Sequence, residues 1–305
     1  MSKKLDEDSH LSNTQKIISS MITGACAGAV AKTTIAPLDR AKINFQVRAD
    51  KFSYRLCFKF LKESYRKEGF TSWYRGNSAN LARVIPSAAL NYTAHEQWKY
   101  ILGTDKNEKT PARRFLSGSL AGVTSATITY PLDLARARMA VTNKTVYNNL
   151  FSVFPSILRN EGVTALYRGA LSSLVGVIPY SGCVFFTYES LKHIHTDYRS
   201  HRPINKKERL LYGSVAGLVG QTVSYPFDVI RRRLQTAAVI RPNETSLGAL
   251  ATARKIIREE GIRRGLYKGV TMNWLKGPIS VGVSFMTFDT LIKLIRRSPF
   301  FSQKD

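Results

Sequence analysis

Pro37-Leu38-Asp39-Arg40-Ala41-Lys42 recurs as Pro131-Leu132-Asp133-Leu134-Ala135-Arg136 and again as Pro226-Phe227-Asp228-Val229-Ile230-Arg231. The prolines stand 94 and 95 residues apart. Thirteen residues before each lies the first glycine of a G-x-x-x-G: Gly24/Gly28, Gly118/Gly122 and Gly213/Gly217. A second motif follows each proline. It reads Glu68-Gly69 with Trp73-Tyr74-Arg75-Gly76, Glu161-Gly162 with Tyr167-Arg168-Gly169, and Glu260-Gly261 with Tyr267-Lys268-Gly269. The chain is therefore three tandem units of about 100 residues, a period longer than the common soluble solenoids have. The expected units are 15–108, 109–204 and 205–297, between polar tails at 1–14 and 298–305.

Local hydropathy identifies the units as membrane modules. Residues 17–38 carry one charge, Lys32, and residues 115–132, 170–188 and 210–227 carry none. Each stretch is long enough to span a bilayer as a helix. Shorter apolar cores at 84–94 and 277–288 take the equivalent places in their units, which predicts six spans, two per unit. The stretches near 54–67, 148–160 and 247–259 are basic and amphipathic, as expected of helices lying on a membrane surface. A proline inside a helix removes a hydrogen bond and kinks it, and glycines at i and i+4 let neighbouring helices approach closely.

Composition alone is ambiguous. The 305 residues hold 46 Lys+Arg against 21 Asp+Glu, a formal charge of +25, which calls for an anionic partner. The mean hydropathy of −0.17 averages uncharged spans with basic loops and so hides the spans. The cations flank the spans without forming a helix-turn-helix, finger or RNA-binding signature, so no nucleic-acid partner is expected and a basic nucleic-acid-binding protein is only a distant alternative. His10, His95, His193, His195 and His201 show no metal spacing, and no phosphate loop or nucleophile elbow occurs, so neither an enzyme nor a cofactor is expected. Cys26, Cys57 and Cys183 lie too far apart in sequence to suggest a disulfide framework. The opening MSKKLDEDSH reads as neither a secretory signal nor an acid-poor transit peptide.

The triplicated P-x-[DE]-x-x-[KR] with the later E-G…[WY]-[RK]-G resembles the mitochondrial carrier family over about residues 15–297. The resemblance implies an all-α membrane protein: a pseudo-threefold barrel of six tilted helices around a cavity, with short surface helices on the matrix side. It implies a multi-pass antiporter of the mitochondrial inner membrane that works as a single chain by alternating access. A matrix gate would pair Asp39 with Arg136, Asp133 with Arg231 and Asp228 with Lys42. Gln46 and Gln235 match the family's bracing glutamine, and Ala140 holds that place in the second unit. Glu96 with Lys99, Glu189 with Lys192, and Asp289 match the cytoplasmic gate, which lacks a cation at Ile292. An aromatic, a cation and a helix start coincide at Arg75-Gly76, Arg168-Gly169 and Lys268-Gly269, suiting a phosphate headgroup. The family implies cardiolipin there.

A threefold scaffold needs threefold residues, and an asymmetric substrate needs exceptions. Seven residues after each Tyr-Arg/Lys-Gly glycine stand Arg83, Gly176 and Lys276; five before each signature proline stand Lys32, Ala126 and Gln221. Lys32, Arg83 and Lys276 are thus intramembrane cations, costly at roughly 2.5–3.5 kcal/mol each on insertion scales, and they suit phosphates. Gly176, Val177, Tyr180 and Ser224 form the expected apolar slot, similar to the adenine contact of adenine nucleotide carriers. Arg231-Arg232-Arg233-Leu234-Gln235-Thr236 departs from the Arg-Arg-Arg-Met-Met-Met run of ADP/ATP exchangers. The runs around 36–40, 76–79, 130–141 and 272–279 resemble the coenzyme A-carrying branch of the family. The expected substrate is coenzyme A or a related compound (dephospho-CoA, adenosine 3′,5′-diphosphate, ADP), with a general adenine nucleotide carrier as the alternative.

Overall fold

A computed structural model describes residues 13–48, 50, 52–103, 111–198, 204–242 and 247–296. Residues 1–12 and 298–305, most of the expected tails, lie outside the described residues. The described residues form helices α1 (Asn13–Val47), α2 (Tyr54–Glu68), α3 (Asn77–Ile101), α4 (Pro111–Ile128), α5 (Tyr130–Val141), α6 (Leu150–Asn160), α7 (Ala170–Tyr198), α8 (Lys206–Ile240), α9 (Ala249–Glu260) and α10 (Val270–Arg296). No strand occurs among them.

Six long rods result, two per unit: α1 and α3, α4–α5 and α7, α8 and α10. Pro37 and Pro226 sit inside continuous helices, whereas the helix before Pro131 breaks at Thr129, so α4 and α5 are separate segments of one rod. The second rod of each unit also contains a proline, Pro86, Pro179 or Pro278. Three stretches are long and apolar enough to cross a membrane by length and composition alone: Ser19–Val47, Val163–Asp197 and Ile262–Ile295. The other three rods take their membrane role from their place in the repeat.

The rods close into a ring. α3 packs along α4, α7 along α8, and α10 returns to pack along α1. The halves of α1, α5 and α8 that follow the signature prolines also meet one another, which gathers the three signature acids at one end. Burial concentrates at that end. Tyr130, Leu134 and Met139 pack with Val153 and Ile157 of α6; Tyr225, Val229 and Leu234 pack with Ile256 of α9; Ala41 and Phe45 pack with Cys57 of α2. The short amphipathic helices α2, α6 and α9 thus cover the closed end. Elsewhere large apolar side chains point outward, among them Ile85, Phe185, Phe186, Phe285 and Met286. Lipid satisfies such a face, because a helix bonds its backbone polar groups internally.

Candidate functional site: a cationic cavity above an ion-pair ring

The repeat register places one acid per rod within reach of the next rod's cation. Asp39 binds Arg136, Asp133 lies 2.7 Å from Arg231, and Asp228 lies 2.7 Å from Lys42. Each pair crosses from one unit to another, so together they close the ring. Two pairs are braced. Gln235 Nε2 donates to Asp133 Oδ2 at 2.9 Å and to the Tyr130 hydroxyl at 3.0 Å. Gln46 Nε2 donates to Asp228 Oδ2 and to the Tyr225 hydroxyl, both at 3.1 Å. Those hydroxyls donate onward to the backbone carbonyls of Arg168 and Lys268 at 2.8 and 2.6 Å. The third corner lacks both partners, since Ala140 and Ala36 stand where the others have Gln and Tyr.

Below the pairs runs a second ring that the sequence reading did not assign. Arg40, Arg138 and Arg233 donate through Nε to the carbonyls of Ala140, Gln235 and Gln46 at 3.2, 3.1 and 3.1 Å, again from unit to unit. The glutamates of the Glu-Gly motif hold these arginines. Glu161 takes Arg138 and Arg168, and Glu260 takes Arg233 and Lys268. In the first unit Asn44 replaces the arginine two places after the signature cation, and Arg40 reaches Glu68 only at 4.0 Å. The repeated glutamate and the arginines at 138 and 233 were the available signal; Arg40, displaced along its helix, had none.

This ring corrects the expected headgroup cations. Arg75, 9% exposed, donates to the carbonyls of Thr142, Asn143 and Tyr147 at 2.5–2.7 Å. Lys268, 4% exposed, is held by Glu260 and by the Arg48 carbonyl at 2.9 Å, and Arg168 bonds Glu161 at 2.9 Å. All three cations turn inward, and Arg75 and Lys268 tie one unit to another. Gly76, Gly169 and Gly269 adopt φ between 78° and 86°, a left-handed turn that glycine takes without strain. A side chain at Gly76 would also strike the Arg136 carbonyl at 2.9 Å.

A cavity of about 390 Å³ opens directly above the pairs. Asp39, Lys42, Arg136, Asp228 and Arg231 form its floor, and Lys276, Gly176, Val177, Tyr180 and Ser224 its wall. Arg232, Gln221, Ser172, Ser173 and Asn273 also line it; of these the sequence reading had singled out Gln221 alone, as the repeat partner of Lys32. Lys32 and Arg83 lie outside this lining. Arg83 reaches 3.8 Å from Asp133, and Lys276 Nζ donates to Asp39 Oδ1 at 2.6 Å. Both cations thus lean on gate carboxylates. Lys32 makes no ion pair among the described residues and lies within electrostatic range of Asp39, Arg136, Lys276 and Arg83. Arg232 adds a further cation, 3.0 Å from Asp133 and 3.9 Å from Asp228. Gly176 is a packing residue as well as a wall residue, because a Cβ there would lie 2.9 Å from Phe227 Cβ on α8.

At the opposite end, Glu96 pairs with Lys99 at 2.9 Å and Glu189 with Lys192 at 3.2 Å, each one turn apart on its own helix. Asp289 has no ion-pair partner among the described residues. No ion pair there joins two of α3, α7 and α10 among the described residues, so this end is unlatched while the other is latched.

A ring of helices latched at one end, unlatched at the other and cationic between defines a membrane solute carrier of the alternating-access kind. The chain belongs to the mitochondrial carrier family: the profile described as "Mitochondrial carrier protein" matches it three times, over residues 13–106, 107–199 and 204–299. It is 53% identical to the mitochondrial coenzyme A transporter SLC25A42 of Mus musculus over 287 residues, 93% of this chain and 90% of the mouse protein. It is 51% identical over 286 residues to the Homo sapiens transporter of the same name, covering 92% and 89%. A plant relative, "Mitochondrial carrier protein CoAc2" of Zea mays, is 37% identical over 288 residues, covering 89% and 84%.

Proposed function

We propose that this chain exchanges coenzyme A and related adenine compounds across the mitochondrial inner membrane, and that it catalyses no covalent chemistry. The observation that carries the reading is the charge of the cavity. Among the described residues, Lys42, Arg136, Arg231, Arg232 and Lys276 line it against two carboxylates, Asp39 and Asp228, with Lys32 and the Arg83–Asp133 pair beyond the lining. That surplus suits a ligand with several phosphates, and the wall of Val177, Tyr180 and Ser224 offers a half-apolar surface with a hydroxyl for a flat base. The names of the relatives above supply the choice among adenine compounds.

The mechanism follows from the energetics of the ring. The pairs are largely buried, so one opens only when other groups take over the charges that its partners release. Substrate phosphates entering from the unlatched end attract Arg83 and Lys276, which lean on Asp133 and Asp39. Drawing them away weakens the ring, the rods separate at that end, and Glu96, Glu189 and Asp289 become free to pair across helices at the other. An inner-membrane phosphodiester lipid such as cardiolipin would meet the backbone N–H groups at the starts of α3, α7 and α10, since the neighbouring cations are engaged.

Counter-exchange in liposomes against labelled coenzyme A tests the assignment. Coenzyme A and adenosine 3′,5′-diphosphate should exchange well, and dephospho-CoA, lacking the 3′-phosphate, should bind about 1.5–3 kcal/mol more weakly if one charge-assisted contact is lost. If ADP exchanges far better than coenzyme A, a general adenine nucleotide carrier is the correct reading. If malate or GTP competes equally, the adenine surface is wrong.

A further inference from the structure

We propose that Lys276 replaces the missing brace of the third gate corner, so that one side chain both holds the gate shut and senses phosphate. The inference rests on the transport reading above and deepens it. The three corners share one plan, an acid, a cation and a brace, although Asp133 also takes Arg232 at 3.0 Å and has Arg83 at 3.8 Å. Asp133 has Gln235 and Tyr130 behind its pair, and Asp228 has Gln46 and Tyr225. Asp39 has Ala140 and Ala36 at those positions. A carboxylate keeps acceptor sites free after one guanidinium bond, so an unbraced Asp39 would hold Arg136 alone.

α10 fills the gap. It packs along α1 to close the ring, and this brings Lys276 Nζ within 2.6 Å of Asp39 Oδ1, while Arg136 takes Oδ2. The brace donors at the other two corners are neutral amides, which a polyanion attracts far less than it attracts an ammonium. The donor at this corner is an ammonium that lines the cavity wall. A polyanion in the cavity competes with Asp39 for Lys276, and no equivalent competition exists for Gln46 or Gln235. In the second ring of the same unit Arg40 stands 4.0 Å from Glu68 and donates to the Ser72 carbonyl instead, whereas Arg138 holds Glu161 with two bonds. The corner between the first and second units is therefore the one whose brace a bound phosphate removes.

The test uses the full-length carrier in detergent, free of substrate, so it does not depend on which compound is carried. Four proteins are compared by thermal unfolding: wild type, K276Q, A140Q and K276Q/A140Q. K276Q should lower the melting temperature by about 2–4 °C, and A140Q should recover at least half of that loss, because the new amide supplies the brace. In a D39N background K276Q should cost nothing further; this cycle decides the matter should the A140Q variants fail to fold. Loss in K276Q that neither A140Q repairs nor D39N absorbs would overturn the proposal, as would an unchanged melting temperature in K276Q. In liposomes, A140Q alone adds a brace that substrate cannot remove. Its maximal exchange rate should fall about threefold to tenfold with KM within twofold of wild type. An unaltered rate in A140Q, or a rise in KM alone, would assign Lys276 to substrate binding only. Failure of coenzyme A to exchange, with the unfolding cycle intact, would remove the substrate assignment and leave the brace.

Discussion

Asp133 is the most heavily bonded of the three gate acids, and replacing it with Asn separates the gate account from a generic loss of a surface pair. Its side chain is 2% exposed and accepts from Arg231 at 2.7 Å, Arg232 at 3.0 Å and Gln235 at 2.9 Å, with Arg83 at 3.8 Å. Asn keeps the shape, removes the charge that compensates three guanidiniums, and turns an NH2 toward donors. Breaking a buried pair on one side costs about 3–5 kcal/mol, which for a chain of this size is a melting-temperature loss on the order of 10 °C. Asp228 provides the internal comparison. Its side chain is 28% exposed, with Lys42 at 2.7 Å and Arg232 at 3.9 Å. Water compensates part of the loss there, so Asp228→Asn should cost about 1–2 kcal/mol, on the order of 4 °C. Intrinsic-fluorescence melting of the two variants in one detergent, without substrate, measures the order. Equal losses, or a larger loss for Asp228→Asn, would refute the view that Asp133 is the hub of the ring.

Four further outcomes follow from the geometry. Gly176→Ala forces a methyl against Phe227 Cβ at 2.9 Å and should cost about 1–3 kcal/mol in thermal stability. Val177→Trp, on the cavity wall, should leave the melting temperature near wild type while raising KM for adenine compounds; the reverse pattern would move the slot away from Val177. Lys32→Ala should weaken exchange of compounds with three phosphates more than of AMP, and equal loss for both would remove Lys32 from the phosphate contacts. Burial pushes the Cys57 thiol up to about 11, so its reactive thiolate forms only well above neutral pH. Mass spectrometry after maleimide treatment near neutral pH should find Cys57 unmodified in the folded carrier and modified after denaturation; rapid labelling of the folded protein would contradict its packing against Ala41 and Phe45.

Most of the architecture was legible because a triplicated chain states its own register. Three prolines and three acids at nearly equal spacing mark the units, the family resemblance pairs each acid with the next unit's cation, and the amphipathic stretches near 54–67, 148–160 and 247–259 correspond to α2, α6 and α9. What escaped the sequence depends on side-chain direction across units. Arg75, Arg168 and Lys268 look like membrane-facing cations in sequence, yet the backbone carbonyls and glutamates that receive them come from neighbouring turns and units. Lys276 reads as a free cavity cation until α10 is seen to return against α1. Arg40 substitutes for an arginine expected four residues later, a shift of one helical turn that keeps the same face but breaks the motif.

The central claim is that a latched, cationic cavity exchanges coenzyme A. Purified protein in cardiolipin-containing liposomes, loaded with coenzyme A and presented with labelled coenzyme A outside, tests it directly. The account predicts saturable uptake that requires internal substrate and is lost in Arg83→Ala and Lys276→Ala at wild-type levels of folded protein. Uptake that is absent in the wild type, or undiminished in both variants, would contradict it.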